Sequence, residues 1–197
     1  DLSNNKLTEI PTFNEYGNLV YLDLSHNSIQ KLKTNNVANK NFKTFLLNHN
    51  QLEILEHSDF YENIERLDLS NNNLQNLDEL YFYQNLNSLN LSNNYFKEIS
   101  YSDENSIIDS LNFSNNELLK INWESDVLSY LNLENNDLII DEIILETNQL
   151  SDLNISNNTI KFPNQFMNNF LSNYPNLKKL NVSNTSVCKG SFEESEF

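Results

Sequence analysis

Few side chains in this 197-residue chain have the type and spacing that chemistry needs. Two imidazoles, His26 and His49, lie 23 residues apart. A shared metal ion would want a third ligand, and Asp23 or Asp68 is only loosely placed for it. Two solvated surface histidines are the simpler reading. Carboxylates are plentiful: between Glu98 and Asp152, 13 acids stand against the single Lys120. Glu117, Glu134, Asp137 and Asp152 lie among them and read as an acidic patch that would draw a basic partner or divalent cations. The same acids, in a chain of net charge −16, also serve solubility. No Asp-x-Asp-x-Asp-Gly loop exists, so a dedicated calcium site is not expected.

Catalytic machinery is absent from the sequence. There is no glycine-rich phosphate loop, Gly-x-Ser-x-Gly, His-Glu-x-x-His or metal-spaced cysteine set. Surface acids without a cleft do not make an acid–base pair. The expectation is a chain that is not an enzyme and uses no cofactor. Nucleic acid is disfavoured as a partner, because phosphates need clustered cations and only Lys31, Lys33, Lys40 and Lys43 gather. No run of 18 apolar residues is present, so no membrane-spanning helix is expected.

What positions these side chains is a repeated word. Residues 67–74 read LDLSNNNL, and LDLSHNSI (22–29), LNLSNNYF (89–96) and LNISNNTI (153–160) repeat it. Aligned, they give L-x-L-x-x-N-x-L, with Asn5, Asn27, Asn50, Asn72, Asn94, Asn116, Asn136 and Asn158 in the sixth place at steps of 20–23 residues. A ninth copy, LNVSNTSV at 180–187, puts Thr185 in that place. Leu-x-Leu sends two side chains to one face of a short strand and the residue between them to the other. One such unit cannot bury its apolar face alone, so neighbouring units must stack, strand beside parallel strand. The recurring Asn stands where the chain turns out of the strand, and its amide has donors and acceptors enough to serve the turn and the next unit. Such a ladder gives a structural reason for part of the 40 Asn in a chain with only two Gly. After the Asn, apolar residues such as Leu52, Leu55 and Phe60, or Leu74, Leu77, Leu80 and Phe82, predict short irregular or 3₁₀ return segments. The stretch 162–177 carries Phe166, Phe170 and Leu171 at helical spacing and predicts a helix ending before Pro175.

The pattern resembles the leucine-rich repeat, over residues 1–187. The resemblance implies an α/β repeat solenoid: an arc with a parallel β-sheet on its concave face and short irregular or 3₁₀ segments on its convex face. It also implies binding of a protein ligand or receptor through the concave sheet. On that face the best anchors by residue type are Tyr21, Leu46, Arg66, Tyr95 and Tyr130, since binding hot spots favour Tyr, Trp and Arg. Scattered exposed apolar residues are the plainer explanation for them. Stacked coils would bring His26 and His49 about 5 Å apart. Trp123 reads as a convex packing residue.

The array is expected to span 1–187, with a first repeat lacking its leading Leu and a long, helical last one. Residues 188–197 read as a partial C-terminal flank or solvated tail. A start in mid-motif predicts further residues upstream. Asn184 to Cys188 resembles the Asn-x-x-x-Cys entry of a cysteine-rich flank whose later cysteines are missing. Cys188 therefore pairs with another segment or chain, or stays a free buried thiol. Six Asn-x-Ser/Thr sequons, at Asn90, Asn112, Asn154, Asn157, Asn181 and Asn184, are glycosylation candidates. An Asn-rich repeat with a fixed Ser also makes sequons by accident. The Leu-x-Leu-Ser-x-Asn spelling is common in extracellular members of the family. The reading is a recognition or adhesion module of a larger secreted or cell-surface protein, forming homo- or hetero-oligomers. The alternative is a cytoplasmic scaffold similar to phosphatase-regulating leucine-rich repeat proteins, which the 22-residue rhythm and the lone cysteine suit.

Overall fold

The computed structural model describes residues 1–13, 17–32, 38–56, 58–78, 80–103, 105–139, 143–159 and 171–185. Each Leu-x-Leu word forms a three-residue strand. These are β1 (Tyr21–Asp23), β2 (Thr44–Leu46), β3 (Arg66–Asp68), β4 (Ser88–Asn90), β6 (Ser110–Asn112), β8 (Tyr130–Asn132), β10 (Asp152–Asn154) and β11 (Lys179–Asn181). They make one parallel sheet in the order β1-β2-β3-β4-β6-β8-β10-β11. Register is in phase throughout: Leu22, Phe45, Leu67, Leu89, Leu111, Leu131, Leu153 and Leu180 face one another along the array. Residues 1–4 join the same ladder, with Leu2 N–H donating to Asp23 C=O at 2.8 Å and Asn4 N–H to Ser25 C=O at 3.0 Å.

The interior is one continuous apolar column, shared by every coil from Ile10 to Tyr174. Each fully buried Leu or Phe in it contributes about 1.5–3 kcal/mol. No coil owns its core, since each lines half of two interfaces.

The bend after each strand uses three side-chain devices. The ladder asparagines bridge neighbouring coils. Asn72 Nδ2 donates to Leu47 C=O of the preceding coil and to Leu69 C=O of its own, both at 3.0 Å, while its Oδ1 accepts from Leu52 N–H at 2.9 Å. Asn27, Asn50, Asn94, Asn116, Asn136 and Asn158 repeat that arrangement. Asn5 is exposed and reaches only Leu2 C=O and Ser3 C=O. Among the described residues Thr185 makes one side-chain hydrogen bond, donating from Oγ1 to Val182 C=O at 2.6 Å. The second device precedes the ladder by one residue. Asn4, His26, His49, Asn71, Asn93, Asn115, Asn135, Asn157 and Asn184 all have φ of +52 to +57°. That left-handed conformation suits Asn best among residues with a Cβ. The paired Asn-Asn spelling thus has two separate causes. The third is an Asx turn: Asp23, Asp68, Asn90, Asn112, Asn132, Asn154 and Asn181 each accept the N–H two residues on.

The convex side departs from the sequence expectation in two respects. Asp59–Tyr61 and Leu80–Phe82 are indeed 3₁₀ turns. The next three coils instead carry a second parallel sheet, from β5 (Glu98–Ser102), β7 (Lys120–Glu124) and β9 (Ile143–Glu146) in that order. Ile99 and Tyr101, Ile121 and Trp123, Ile143 and Leu145 alternate inward, with polar residues and Ile144 outward. That period of two in β-branched and aromatic residues is strand code, hidden by the shortness of each run. Phe82, expected to pack inward, is exposed, and Tyr83 fills the interior in its stead. Trp123 is fully buried, stacked on Tyr101 at 4.3 Å, which stacks in turn on Tyr81 at 5.1 Å. Of the helix expected over 162–177, residues 171–172 are helical and 162–170 lie outside the described residues.

These buried rings make the fold sensitive to alkali. Burial pushes the Tyr101 hydroxyl up to about 12 and raises those of Tyr61 and Tyr174. Tyr61 donates to Leu32 C=O and Tyr174 to Leu145 C=O. The unfolded chain releases these protons near 10, the folded chain later, so stability falls as pH rises from about 10 to 12. Tyrosinate absorbance followed together with Trp123 fluorescence should show these three rings ionising only as Trp123 becomes exposed. Ionisation ahead of the fluorescence change would contradict their placement.

Candidate functional site

The outward face of the large sheet is built from two residues per strand. The first column reads Tyr21, Thr44, Arg66, Ser88, Ser110, Tyr130, Asp152, Lys179. The second reads Asp23, Leu46, Asp68, Asn90, Asn112, Asn132, Asn154, Asn181. All of the second column except Leu46 accept their own bend N–H, so these polar groups do local work before any partner arrives. Leu46 is the one apolar member of that column.

Size varies along the first column. Tyr21 and Arg66 stand two strands apart, about 10 Å, with Leu46 between their strands. Ser88 and Ser110 follow as a low floor two strands wide. Tyr130 rises on its far side, about 14 Å from Arg66 by strand spacing. Tyr21 and Tyr130 are roughly half exposed. Arg66, the only arginine in the chain, is exposed and forms no ion pair within the described residues. Tyr21 donates to the Asp23 carboxylate at 3.4 Å, and partial burial followed by that charge raises its hydroxyl, while the Arg66 charge opposes the rise. Beside Tyr130 a cavity of about 610 Å³ opens, lined by Asp152, Asn154, Lys179 and Asn181 at the sheet and by Leu153, Leu177 and Leu180 within.

Tyr95 is the exception among the expected anchors. It follows ladder residue Asn94, beyond the bend, and lines a depression of about 520 Å³ with Ile54 and Asn76 on the flank of the arc. Its place after the ladder, rather than before it, turns it away from the sheet.

The acidic residues do not form one patch. Asp152 lies on β10 and pairs with Lys179 at 2.7 Å. That ammonium, followed by the Ser151 hydroxyl, holds the Asp152 carboxyl below its ordinary value, and the Lys179 amine is raised in return. Glu134 sits at the bend and accepts from Asn154 Nδ2 at 3.2 Å and Asn157 Nδ2 at 3.0 Å. Glu117 and Asp137 occupy the flank column that also holds Tyr95, and Glu117 pairs with Lys97 at 3.6 Å. Three of the four carboxylates therefore serve joints between coils.

Among the sequons, Asn90, Asn112 and Asn154 are half-buried in Asx turns, and their Ser92, Ser114 and Ser156 are buried. Asn157, Asn181 and Asn184 are exposed. Cys188 and the tail 188–197 lie outside the described residues. Among the described residues no helix is long and apolar enough to cross a membrane, and no three His, Cys, Asp or Glu side chains gather as metal ligands.

The leucine-rich repeat family model matches residues 18–39 and 63–84. No curated protein sequence matches the chain. Several solved structures share its fold. The leucine-rich repeat domain of APL1B is 22% identical with a TM-score of 0.72, over 93% of this chain and 56% of that one. A chain of the TLR13–ssRNA13 complex is 23% identical with a TM-score of 0.74, over 92% and 32%. Internalin C2 from Listeria monocytogenes is 19% identical with a TM-score of 0.67, over 92% and 78%. The chain thus spans about a third to a half of the first two. Two repeats matched by the family model, an in-phase parallel sheet and a shared interior sealed by ladder asparagines at seven bends give this chain the leucine-rich repeat fold.

Proposed function

We propose that the chain is a non-catalytic recognition module that binds a protein partner along its concave sheet. The observation that carries this reading is the profile of the first strand column. Tyr21, Leu46 and Arg66 form one rim, Tyr130 the other, and Ser88 with Ser110 leave a trough between them. Aromatic and Arg side chains at the edge of a small-residue floor are the composition expected of binding anchors. Similar proteins support a binding role: one neighbour in fold is described as the LRIM1/APL1C complex. Another is described in complex with single-stranded RNA. Here a net charge of −16 opposes a phosphate backbone, which favours protein.

The double substitution Tyr21→Ala with Arg66→Ala should weaken a partner identified by pull-down about tenfold or more, because losing two anchors typically costs over 1.4 kcal/mol. The melting temperature should stay nearly unchanged, since both side chains are exposed. Substitutions at Glu56 and Glu62 on the convex side should leave affinity intact. An equal loss from them would move the site off the sheet.

We further place the chain in a larger secreted or cell-surface protein, on the spelling of its repeats and on exposed sequons at Asn157, Asn181 and Asn184. Mass spectrometry of the native protein decides between this and a cytoplasmic scaffold: glycan on those residues supports export, and unmodified peptides from all six sequons support the cytoplasm.

A further inference from the structure

The left-handed bend column contains an irregularity that the fold does not need. Seven of its nine members are Asn, the residue that such backbone favours. The two departures, His26 and His49, fall on adjacent coils. Both are exposed. Their backbones are fixed by the same ladder, His26 N–H donating to Asn48 C=O at 3.0 Å and His49 N–H to Ser70 C=O at 2.9 Å. Their rings lie face to face with centroids 4.2 Å apart and planes 12° from parallel.

Two imidazole nitrogens that share one ion at right angles, each about 2.0–2.1 Å from it, lie roughly 3 Å apart. Their ring centroids then stand about 4.5 Å apart, near the 4.2 Å found here, so the rings need little translation but must turn out of the stack until one nitrogen of each points at the ion. Rotation about Cβ–Cγ is a broad torsion with little preference, and exposed rings have room for it. We propose that His26 and His49 form a two-imidazole site for a divalent transition-metal ion. Nitrogen donors without oxygen ligands select Cu²⁺ ahead of Ni²⁺ and Zn²⁺, and reject Ca²⁺ and Mg²⁺. Since no third protein ligand joins among the described residues, water fills the remaining positions and the ion exchanges readily. The site stands at the margin of the concave sheet but does not depend on the partner reading above.

The bend column supplies its own control. His26→Asn and His49→Asn install the residue used at seven equivalent bends, so both variants should keep the parent's circular dichroism and melting temperature. Calorimetric titration of the 197-residue chain with Cu²⁺ should show one ion bound through these residues, and each Asn variant should weaken it roughly 10–100-fold. Substoichiometric Cu²⁺ should broaden two of the three histidine Cε1–H resonances together. Binding that persists undiminished in the double variant, at the N-terminal amine or Cys188 for instance, overturns the assignment. So does broadening of only one of the two resonances.

Discussion

Asn72→Leu should lower the free energy of unfolding by about 3–5 kcal/mol, read as a fall in the urea midpoint. The side chain is buried. It serves Leu52 N–H at 2.9 Å and the carbonyls of Leu47, Leu69 and Ser70 at 3.0, 3.0 and 3.2 Å. Leu has similar bulk and offers none of these partners. Each buried polar group left unpaired costs about 1–3 kcal/mol, and the losses do not simply add. The damage also spreads, because Leu47 and Leu52 belong to the preceding coil and each interface supports the next. The internal comparison is Asn5→Leu. That exposed amide bonds only within its own bend, so its loss should cost less than about 1 kcal/mol. Equal effects at the two positions would show that bridging between coils is not what the ladder contributes.

Trp123→Ala should cost a comparable 3–5 kcal/mol, the range for removing a large aromatic from a packed core. Trp123 is fully buried between Tyr101 and Leu145, its register partners on β5 and β9. It also meets Phe113 edge-on across the interior at 6.3 Å. Its deletion leaves a void spanning three coils, and the two ladders limit how far they can close around it. Trp123→Phe should be mild, about 1–2 kcal/mol, for a specific reason. Trp123 Nε1 has no hydrogen-bond partner among the described residues, so Phe sacrifices volume and no bond. Ser125 Oγ is likewise buried and unpaired among the described residues. Ser125→Ala should therefore be neutral or slightly stabilising. A large loss in either variant would mean that the polar atom it removes does have a partner.

The repeat was legible because its signal is local and periodic. Leu-x-Leu sets a strand, the fixed Asn marks the bend, and the interval between them sets one coil. The bend was only half legible. Ladder asparagines can be picked out by position, whereas the role of the asparagines before them lies in a positive φ that no sequence pattern marks. Histidine in that column reads the same way: its backbone role is visible only in the dihedral. The convex sheet had a usable signal in Ile99 with Tyr101, Ile121 with Trp123 and Ile143 with Leu145. Each run is too short to outweigh the turn-like composition around it.

Sequence alone determined the architecture, because parallel stacking follows wherever identical short units each carry an unsatisfied apolar face and a polar bend. It also determined which residues line the sheet, since alternation along a strand leaves no freedom once the register is in phase. Tertiary structure decided what lies just outside that alternation. Tyr95 turned to the flank, Glu134 and Asp152 became joints between coils, and His26 met His49 face to face. Those outcomes depend on distances between residues about twenty positions apart, and only the rise from coil to coil converts such a separation into contact.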